Sequence, residues 1–454
     1  MMAFDTVAAR RPVSVGALFD ALGSLVGSAA LRTDGLPTID GIVPSVAVQP
    51  ASSEQAAAVL AACARLGAAV SPVGGGTKLA LGNLPEAVDV LLDTSRLNQI
   101  IAYTSADLTL AVQAGVTLAA VQARLRAEGQ FLPIDPPHAA RATIGGLAAT
   151  NAAGPRRVQA GALRDQIIGM EVAGVDGLVT KSGGMVVKNV TGYHVHKAHI
   201  GALGTLGLLV RVNLKVAPLP AAERTLVTGF GDPFSAGQAV GDLVTRPLAA
   251  TGVDIVERTL AQLPSAPAQP WLLAVRVAGV PAGVDAQLDL VREAVRAAGG
   301  SPGEVLDGAD QDTLWAAAVA PSEPPSPSDV YVACRFSALS SQVASLLVAA
   351  GEAAARAGLG VERAAHAVTG VGRIRLTGTA QPEPYIAAIR ELRAAAQRLH
   401  AALVVEAAPP AVKRAIDVWG TGPDAATLEL MRSLRRAFDA QRSINPGRFI
   451  GDRP

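Results

Sequence analysis

The chain has 454 residues, half of them hydrophobic and only 17% charged, with 39 basic against 38 acidic side chains and a formal charge of +1. This much apolar surface excludes a largely disordered chain, and 46 glycines without a three-residue period exclude collagen. The absence of a basic surplus argues against a nucleic-acid partner. The longest uncharged stretch, residues 259–275, contains Pro264, Pro267 and Pro270 and falls short of the roughly 20 apolar residues of a spanning helix, so no transmembrane segment is expected.

Residues 1–39 read as an N-terminal helical segment. Arg10 and Arg11 precede an apolar run, as in a signal peptide, but Asp20 interrupts it and Val15, Leu18, Phe19, Leu22 and Val26 share one helical face. Residues 45–72 read as strand, helix, strand: Val46-Ala47-Val48, a helix over 56–66 with Ser52 and Gln55 as a capping box and Gly67 past its end, then Ala68-Ala69-Val70. Strands are expected at 88–92, 99–103 and 109–114, and a helix at 118–128 that stops at Gly129. The rigid turn Pro133-Ile134-Asp135-Pro136-Pro137 follows. Glycine-punctuated apolar runs from Ile144 to Val216 predict an antiparallel sheet.

Ala217-Pro218-Leu219-Pro220 marks a boundary. Beyond it, β-like runs at 271–277, 330–336 and 372–376 alternate with helices at 284–298, 344–357 and 383–399, which predicts a second α+β unit. Four prolines in residues 321–329 predict a disordered loop, and a last helix is expected at 425–438. Cys63 and Cys334 form no CxxC motif, supply no zinc or iron–sulfur ligand set, and fit a reducing, cytoplasmic compartment. Cys63 lies in a helical stretch as a small core residue.

Three glycine-rich strings carry potential chemistry. Gly74-Gly75-Gly76-Thr77-Lys78 follows a strand, so consecutive side-chain-free amides can converge on an anion, although its spacing fits neither a Walker A loop nor GxGxxG. Thr143-Ile144-Gly145-Gly146 with Thr150-Asn151, and Gly201 to Leu208 with glycine at every third residue, place small residues beside strands. Taken singly, each string is better explained by tight bends and sheet packing. His194, His196 and His199 crowd together like metal ligands, but on a strand only His194 and His196 share a face, and no metal is expected. His366 and His400 are isolated, and Arg335, Arg373 and Arg375 are carboxylate-anchor candidates in the second unit that also suit a solvated strand face. Glu406 and Trp419 stand out there only by type.

In order, the motifs Pro72 to Leu79, Asp107-Leu108-Thr109, Gln113 to Thr117, Pro133 to Pro137, Ala142 to Gly154, Gly161 to Asp165, Val187-Lys188-Asn189-Val190-Thr191-Gly192-Tyr193, Gly201 to Leu208 and Asn445-Pro446-Gly447-Arg448 resemble the FAD-linked oxidases. These are the oxidases of vanillyl-alcohol-oxidase and p-cresol-methylhydroxylase (PCMH) type, and the nearest likeness is to the smaller flavin-subunit branch of bacterial glycolate oxidases. The likeness is strong over about residues 40–218, with an echo at the C-terminus. It implies an α+β fold: a two-lobed PCMH-type FAD-binding domain (40–218), an α+β cap or substrate domain (219–410), and a C-terminal segment (411–454) that returns to the FAD domain.

The resemblance also implies a site. Pro72, Gly74, Gly75, Gly76, Thr77 and Lys78 would hold the FAD pyrophosphate. Pro136, Thr143, Gly145, Gly146, Thr150 and Asn151 would line the cofactor's path, and Gly204, Gly207 and Leu208 would approach it through their backbone. No histidine stands in 72–80, so FAD is expected to be non-covalent. The family carries an acidic residue where this chain has His194. The implied chemistry is oxidation of a glycolate-like 2-hydroxy acid to the 2-oxo acid, with Arg373, Arg375 and Glu406 as the catalytic candidates. Hydride would go to flavin N5 and the hydroxyl proton to a basic side chain or water. With no cysteine ligands for a cluster in this chain, electrons would leave by a quinone, by oxygen or through a separate iron–sulfur subunit; the resemblance favours the last and implies a sister flavin subunit beside it. The implied location is cytoplasmic, peripheral at the inner membrane through those partners. Lack of a histidine-rich cap motif favours a second reading, a non-catalytic FAD-holding accessory subunit. A nucleotide-binding protein without flavin is a third.

Overall fold

The computed structural model describes residues 13–452 except 189–191, 262, 264, 325, 327, 328 and 421. Arg10 and Arg11, the Asn189-Val190-Thr191 part of the seventh motif, and part of the proline-rich 321–329 segment therefore lie outside the described residues. The first lobe is a small sheet in which Val46–Val48 and Val70–Val73 run parallel to the central Val90–Asp93, with Leu31–Arg32 antiparallel at the edge. Helix Ser53–Leu66 makes the crossover between two of these parallel strands, as parallel pairing requires. Ser52 Oγ accepts from the Gln55 N–H at 3.2 Å, while the Gln55 side chain accepts from the Ala51 N–H at 2.8 Å. Gly67 ends the helix in the left-handed region. Helix Val15–Val26 buries Leu18 and Leu22 against this lobe with Phe19 and Val26 packed beside them, whereas Val15, expected on the same face, is exposed at the helix start. Cys63 is buried here, and burial pushes its thiol up to about 12, so it is inert core.

The second lobe is a five-stranded antiparallel sheet in the order Ile100–Thr104, Thr109–Gln113, Leu208–Lys215, Ile167–Ala173, Val179–Gly183. The expectation of strands throughout 144–216 needs correction. Ile144–Thr150 is a helix, followed by short helices Arg157–Ala160 and Leu163–Gln166. Thr143 caps the first of these by accepting from the Gly146 N–H at 3.2 Å, and Ile144, Leu147 and Ala148 bury one helical face, which outweighs the weak helix propensity of two glycines. His196–His199 is likewise one helical turn rather than strand.

Beyond residue 218 a single eight-stranded antiparallel sheet forms the cap. Helices Pro233–Leu243, Pro281–Ala297, Val343–Arg356 and Pro382–Arg398 share a large core with it, and Gly308–Val319 belongs to a second cluster on other sheet residues. The anticipated strands appear as Trp271–Gly279, Tyr331–Ser337 and Val371–Thr377. Ala222–Phe230, Ala250–Glu257, Gly360–His366 and Ala402–Ala407 are strands beyond those expected, because acidic and basic residues interrupt their apolar pattern.

The C-terminal segment returns to the first lobe. Val70 donates to the Ser443 carbonyl at 2.8 Å and accepts from the Asn445 N–H at 2.8 Å, so Ile444 extends the sheet beside Val70. Buried Lys413 bonds Asp40 at 2.8 Å and also donates to the carbonyls of Ala80 and Gly82, while Arg448 bonds Asp40 and the carbonyls of Leu79 and Leu81. Two cations thus grip four consecutive carbonyls of the turn that follows the triple glycine. Among the described residues no helix is long and apolar enough to cross a membrane.

Candidate functional site

The end of strand Val70–Val73 delivers the chain into the glycine string at the junction of the two lobes. A Cβ on Gly75 would stand 1.7 Å from the Arg141 carbonyl oxygen, and one on Gly74 would stand 2.1 Å from Thr143 Oγ1. Lack of side chains therefore lets this loop close on the 141–146 turn, and the two bends are brought together. The Arg141 guanidinium adds a bond to the Gly75 carbonyl at 3.2 Å.

A cleft with about 1010 Å³ of space unfilled by atoms runs between these bends. Pro72, Gly74, Gly75, Gly76, Thr77 and Lys78 line one side, and Pro136, Thr143, Gly145, Gly146 and Thr150 line another. Gly204, Gly207, Leu208 and the C-terminal Asn445 and Arg448 complete it. Asn151, expected beside Thr150 on the cofactor's path, is not part of this wall. It ends the 144–150 helix in the left-handed conformation, a role that suits a short amide side chain and turns it away from the helix line.

The fit to a dinucleotide rests on the loop's amides. Among the described residues, the backbone N–H groups of Gly74, Gly75, Gly76, Thr77 and Lys78 donate to no protein acceptor. Five successive amides without a protein acceptor at a cleft wall have the chemistry that an anion such as a pyrophosphate needs. The 79–82 carbonyls held by Lys413 and Arg448 fix the other end of the same loop.

Where the cap meets this loop, a charged cluster forms. Lys78 Nζ lies 3.0 Å from Glu406 Oε2, and Arg335 Nε lies 3.0 Å from Glu406 Oε1. Lys78, Arg335 and Arg373 outweigh the cost of burial and hold the Glu406 carboxyl down at about 2. Glu406 is thus ionised at neutral pH and a poor proton acceptor. Arg373 donates to the Ala153 carbonyl at 2.8 Å and to His366 Nε2. A guanidinium only donates, so Nε2 accepts, and His366 Nδ1–H donates to buried Asp254 at 2.6 Å. Arg375 is engaged elsewhere, bonding Glu362 and donating to the carbonyls of Ala320 and Glu323 at 2.9 Å each.

His194 and His196 stack at 5.3 Å, and His199 meets Phe438 edge-on at 5.1 Å. Burial is the largest cause lowering both His196 and His199 to about 4. Among the described residues no group of three or more His, Cys, Asp or Glu side chains is placed to hold a metal ion. Sequence alone passes over His138, which lines the cleft beside Pro136 and Pro137. Its place directly after the two prolines of the rigid turn is the available signal.

Residues 44–183 match the family described as FAD binding domain. The chain is 30% identical over 202 residues to glycolate oxidase subunit GlcD of Bacillus subtilis (strain 168), covering 44% of this chain and 43% of that protein. It is 37% identical over 136 residues to glycolate oxidase subunit GlcE of Escherichia coli (strain K12), covering 30% and 39%. The chain thus spans about two-fifths of the length of these curated relatives. The fold of p-cresol methylhydroxylase superposes with a TM-score of 0.75 at 17% identity, covering 96% of this chain and 97% of that one. Residues 44–183 thus match an FAD-binding domain of PCMH type, and the fold of the chain is similar to that of p-cresol methylhydroxylase.

Proposed function

We propose that this chain binds FAD non-covalently and, as a subunit of an oxidoreductase, oxidises a glycolate-like 2-hydroxy acid to the 2-oxo acid. The observation that carries the reading is the row of five unpaired amides from Gly74 to Lys78 leading into a cationic cluster at the cap. The relatives named for glycolate oxidation give the substrate class. When bound, FAD supplies the acceptor for two electrons. The loop amides hold its pyrophosphate, Thr143, Gly145, Gly146 and Thr150 line its path, and Gly204, Gly207 and Leu208 close on it. Arg335 and Arg373 attract the substrate carboxylate, and Glu406 orients Arg335 and Lys78. Arg375 acts behind them by holding the Glu323 segment.

Residues 72–80 contain no histidine, which supports a cofactor released by acid precipitation. Two buried cysteines supply no iron–sulfur ligand set of this chain's own, and by our reading electrons pass to a sister flavin subunit and an iron–sulfur subunit. A cytoplasmic location with peripheral contact at the inner membrane through those partners follows from the same reading.

One observation favours a second reading. Glu406 already neutralises Lys78 and Arg335, as it would in an accessory subunit that holds FAD without turning over substrate. The visible spectrum of the purified protein, before and after glycolate or D-lactate, decides between them. Bleaching of the flavin supports catalysis, an unchanged flavin supports the accessory role, and a colourless protein that FAD does not reconstitute refutes both.

A further inference from the structure

The oxidation proposed above needs a group to take the hydroxyl proton, and Glu406, held at about 2, is unsuited to it. His138 occupies the cleft wall and also borders a second open cavity of about 2220 Å³ between the second lobe and the cap, so it stands where the two spaces join. Its backbone is in the left-handed region at φ 62°, unusual for a side-chain-bearing residue, and its carbonyl accepts from the Arg141 and Ala142 N–H groups at 2.8 and 2.7 Å. The backbone that carries the ring is therefore held in a tight turn.

His138 Nε2 lies 3.2 Å from Glu323 Oε1 of the cap. Glu323 is itself anchored, since its carbonyl accepts from Arg375 at 2.9 Å and its N–H donates to the Ala320 carbonyl at 3.0 Å. A carboxylate facing Nε2 favours the tautomer with the proton there, which leaves the Nδ1 lone pair as acceptor. Among the described residues no protein group bonds Nδ1. We propose that His138 is the proton acceptor for the substrate hydroxyl, with Glu323 as the positioning residue that keeps its Nδ1 available.

The proposal rests on the hydroxy-acid reading. In the step, the substrate O–H bond breaks with its proton going to His138 Nδ1. The C2–H bond breaks with its electron pair leaving as hydride to bound FAD, the oxidant, and the C2=O double bond forms. The charged groups facing the ring are Glu323 from the cap, Lys78 from the glycine loop and Arg141 from its own turn. Burial, first, and then Lys78 and Arg141 lower its pKa while Glu323 raises it, so the ring is neutral and ready to accept at pH 7.

The test uses the full chain loaded with FAD and mixed with glycolate or D-lactate in a stopped-flow spectrometer. Flavin reduction should slow by roughly 10²–10⁴-fold in His138→Asn, and added imidazole should partly restore His138→Ala. Glu323→Gln, which leaves the 138–142 turn untouched, should shift the acid limb of the pH profile downward. Independently of turnover, the His138 ring signal of ¹³C-histidine-labelled protein without FAD should titrate below an ordinary histidine, and lower still in Glu323→Gln. Reduction within threefold of the unaltered rate in His138→Asn, or a titration indifferent to Glu323→Gln, overturns the proposal. Flavin in the unaltered protein that no hydroxy acid reduces refutes the oxidase reading, and the proposal falls with it.

Discussion

Gly75→Ala tests the cleft most directly. The added methyl carbon would lie 1.7 Å from the Arg141 carbonyl oxygen and 2.5 Å from its carbonyl carbon, both backbone atoms, whereas such contacts are not made below 3.0 Å. The loop and the 141–146 turn must separate by more than an ångström, which moves the amides proposed to hold the pyrophosphate. Overpacking of this kind costs about 1–3 kcal/mol, and about 1.4 kcal/mol of it directed at the bound state is a tenfold loss of affinity. FAD affinity of Gly75→Ala, from fluorescence titration of the apoprotein, should fall by at least about tenfold. Gly74→Ala meets a side-chain atom instead, Thr143 Oγ1 at 2.1 Å, so Thr143→Ala should restore part of its loss. Gly231→Ala, with nothing within 4 Å, is the neutral control. A Gly75→Ala protein that binds FAD within threefold of the unaltered chain would refute the proposed cradle.

Arg448→Met removes the donors to the Leu79 and Leu81 carbonyls and should weaken FAD binding, with Arg448→Lys recovering part of the loss in the same titration. Glu406→Gln leaves Lys78 and Arg335 without their carboxylate and should destabilise the fold by about 3 kcal/mol in urea unfolding. Because the Glu406 carboxyl is held down at about 2, its contribution is present above about pH 4.5 and is lost as pH falls toward 2, so Glu406→Gln should flatten that acid limb. His196 and His199 are depressed to about 4 from an ordinary 6.5, so the unfolded chain binds more protons between those values and stability falls as pH drops through them. A His196→Gln/His199→Gln protein with an unchanged slope of stability between pH 6.5 and 4 would contradict this.

Much of the first lobe is readable in the sequence because its signals are local. Ser52, Gly67 and an alanine-rich run define one helix whatever surrounds it, and Val46, Val70 and Val90 are apolar on both faces as buried parallel strands must be. The 144–150 helix is not, because Gly145 and Gly146 read as strand punctuation until Thr143 is seen to cap them. In the cap, Asp254, Arg363, Arg373 and Arg375 break the apolar pattern of real strands. Only the fold shows that Asp254 and Arg373 meet at His366, that Arg363 pairs with Glu257, and that Arg375 pairs with Glu362. Glu406 and Arg335 stand out by type, but the meeting of Glu406 with Lys78 joins positions 328 residues apart and has no local trace.

That long-range meeting also divides the labour of the site. A carboxylate gripped by two cations is a fixed negative charge, suited to orienting Lys78 and Arg335 and unsuited to exchanging protons near neutral pH. A histidine whose pKa burial has lowered, with one nitrogen facing a carboxylate, has the opposite character. Lys78 is common to both groups, since it touches Glu406 and also lowers the pKa of His138. Lys78→Met should therefore act on both: the His138 titration should move upward as a neighbouring positive charge is lost, while Glu406 loses one of the charges that hold it ionised. A His138 midpoint unmoved by Lys78→Met would show that the cluster and the histidine are electrostatically separate, and would remove the physical link between anion binding and proton transfer.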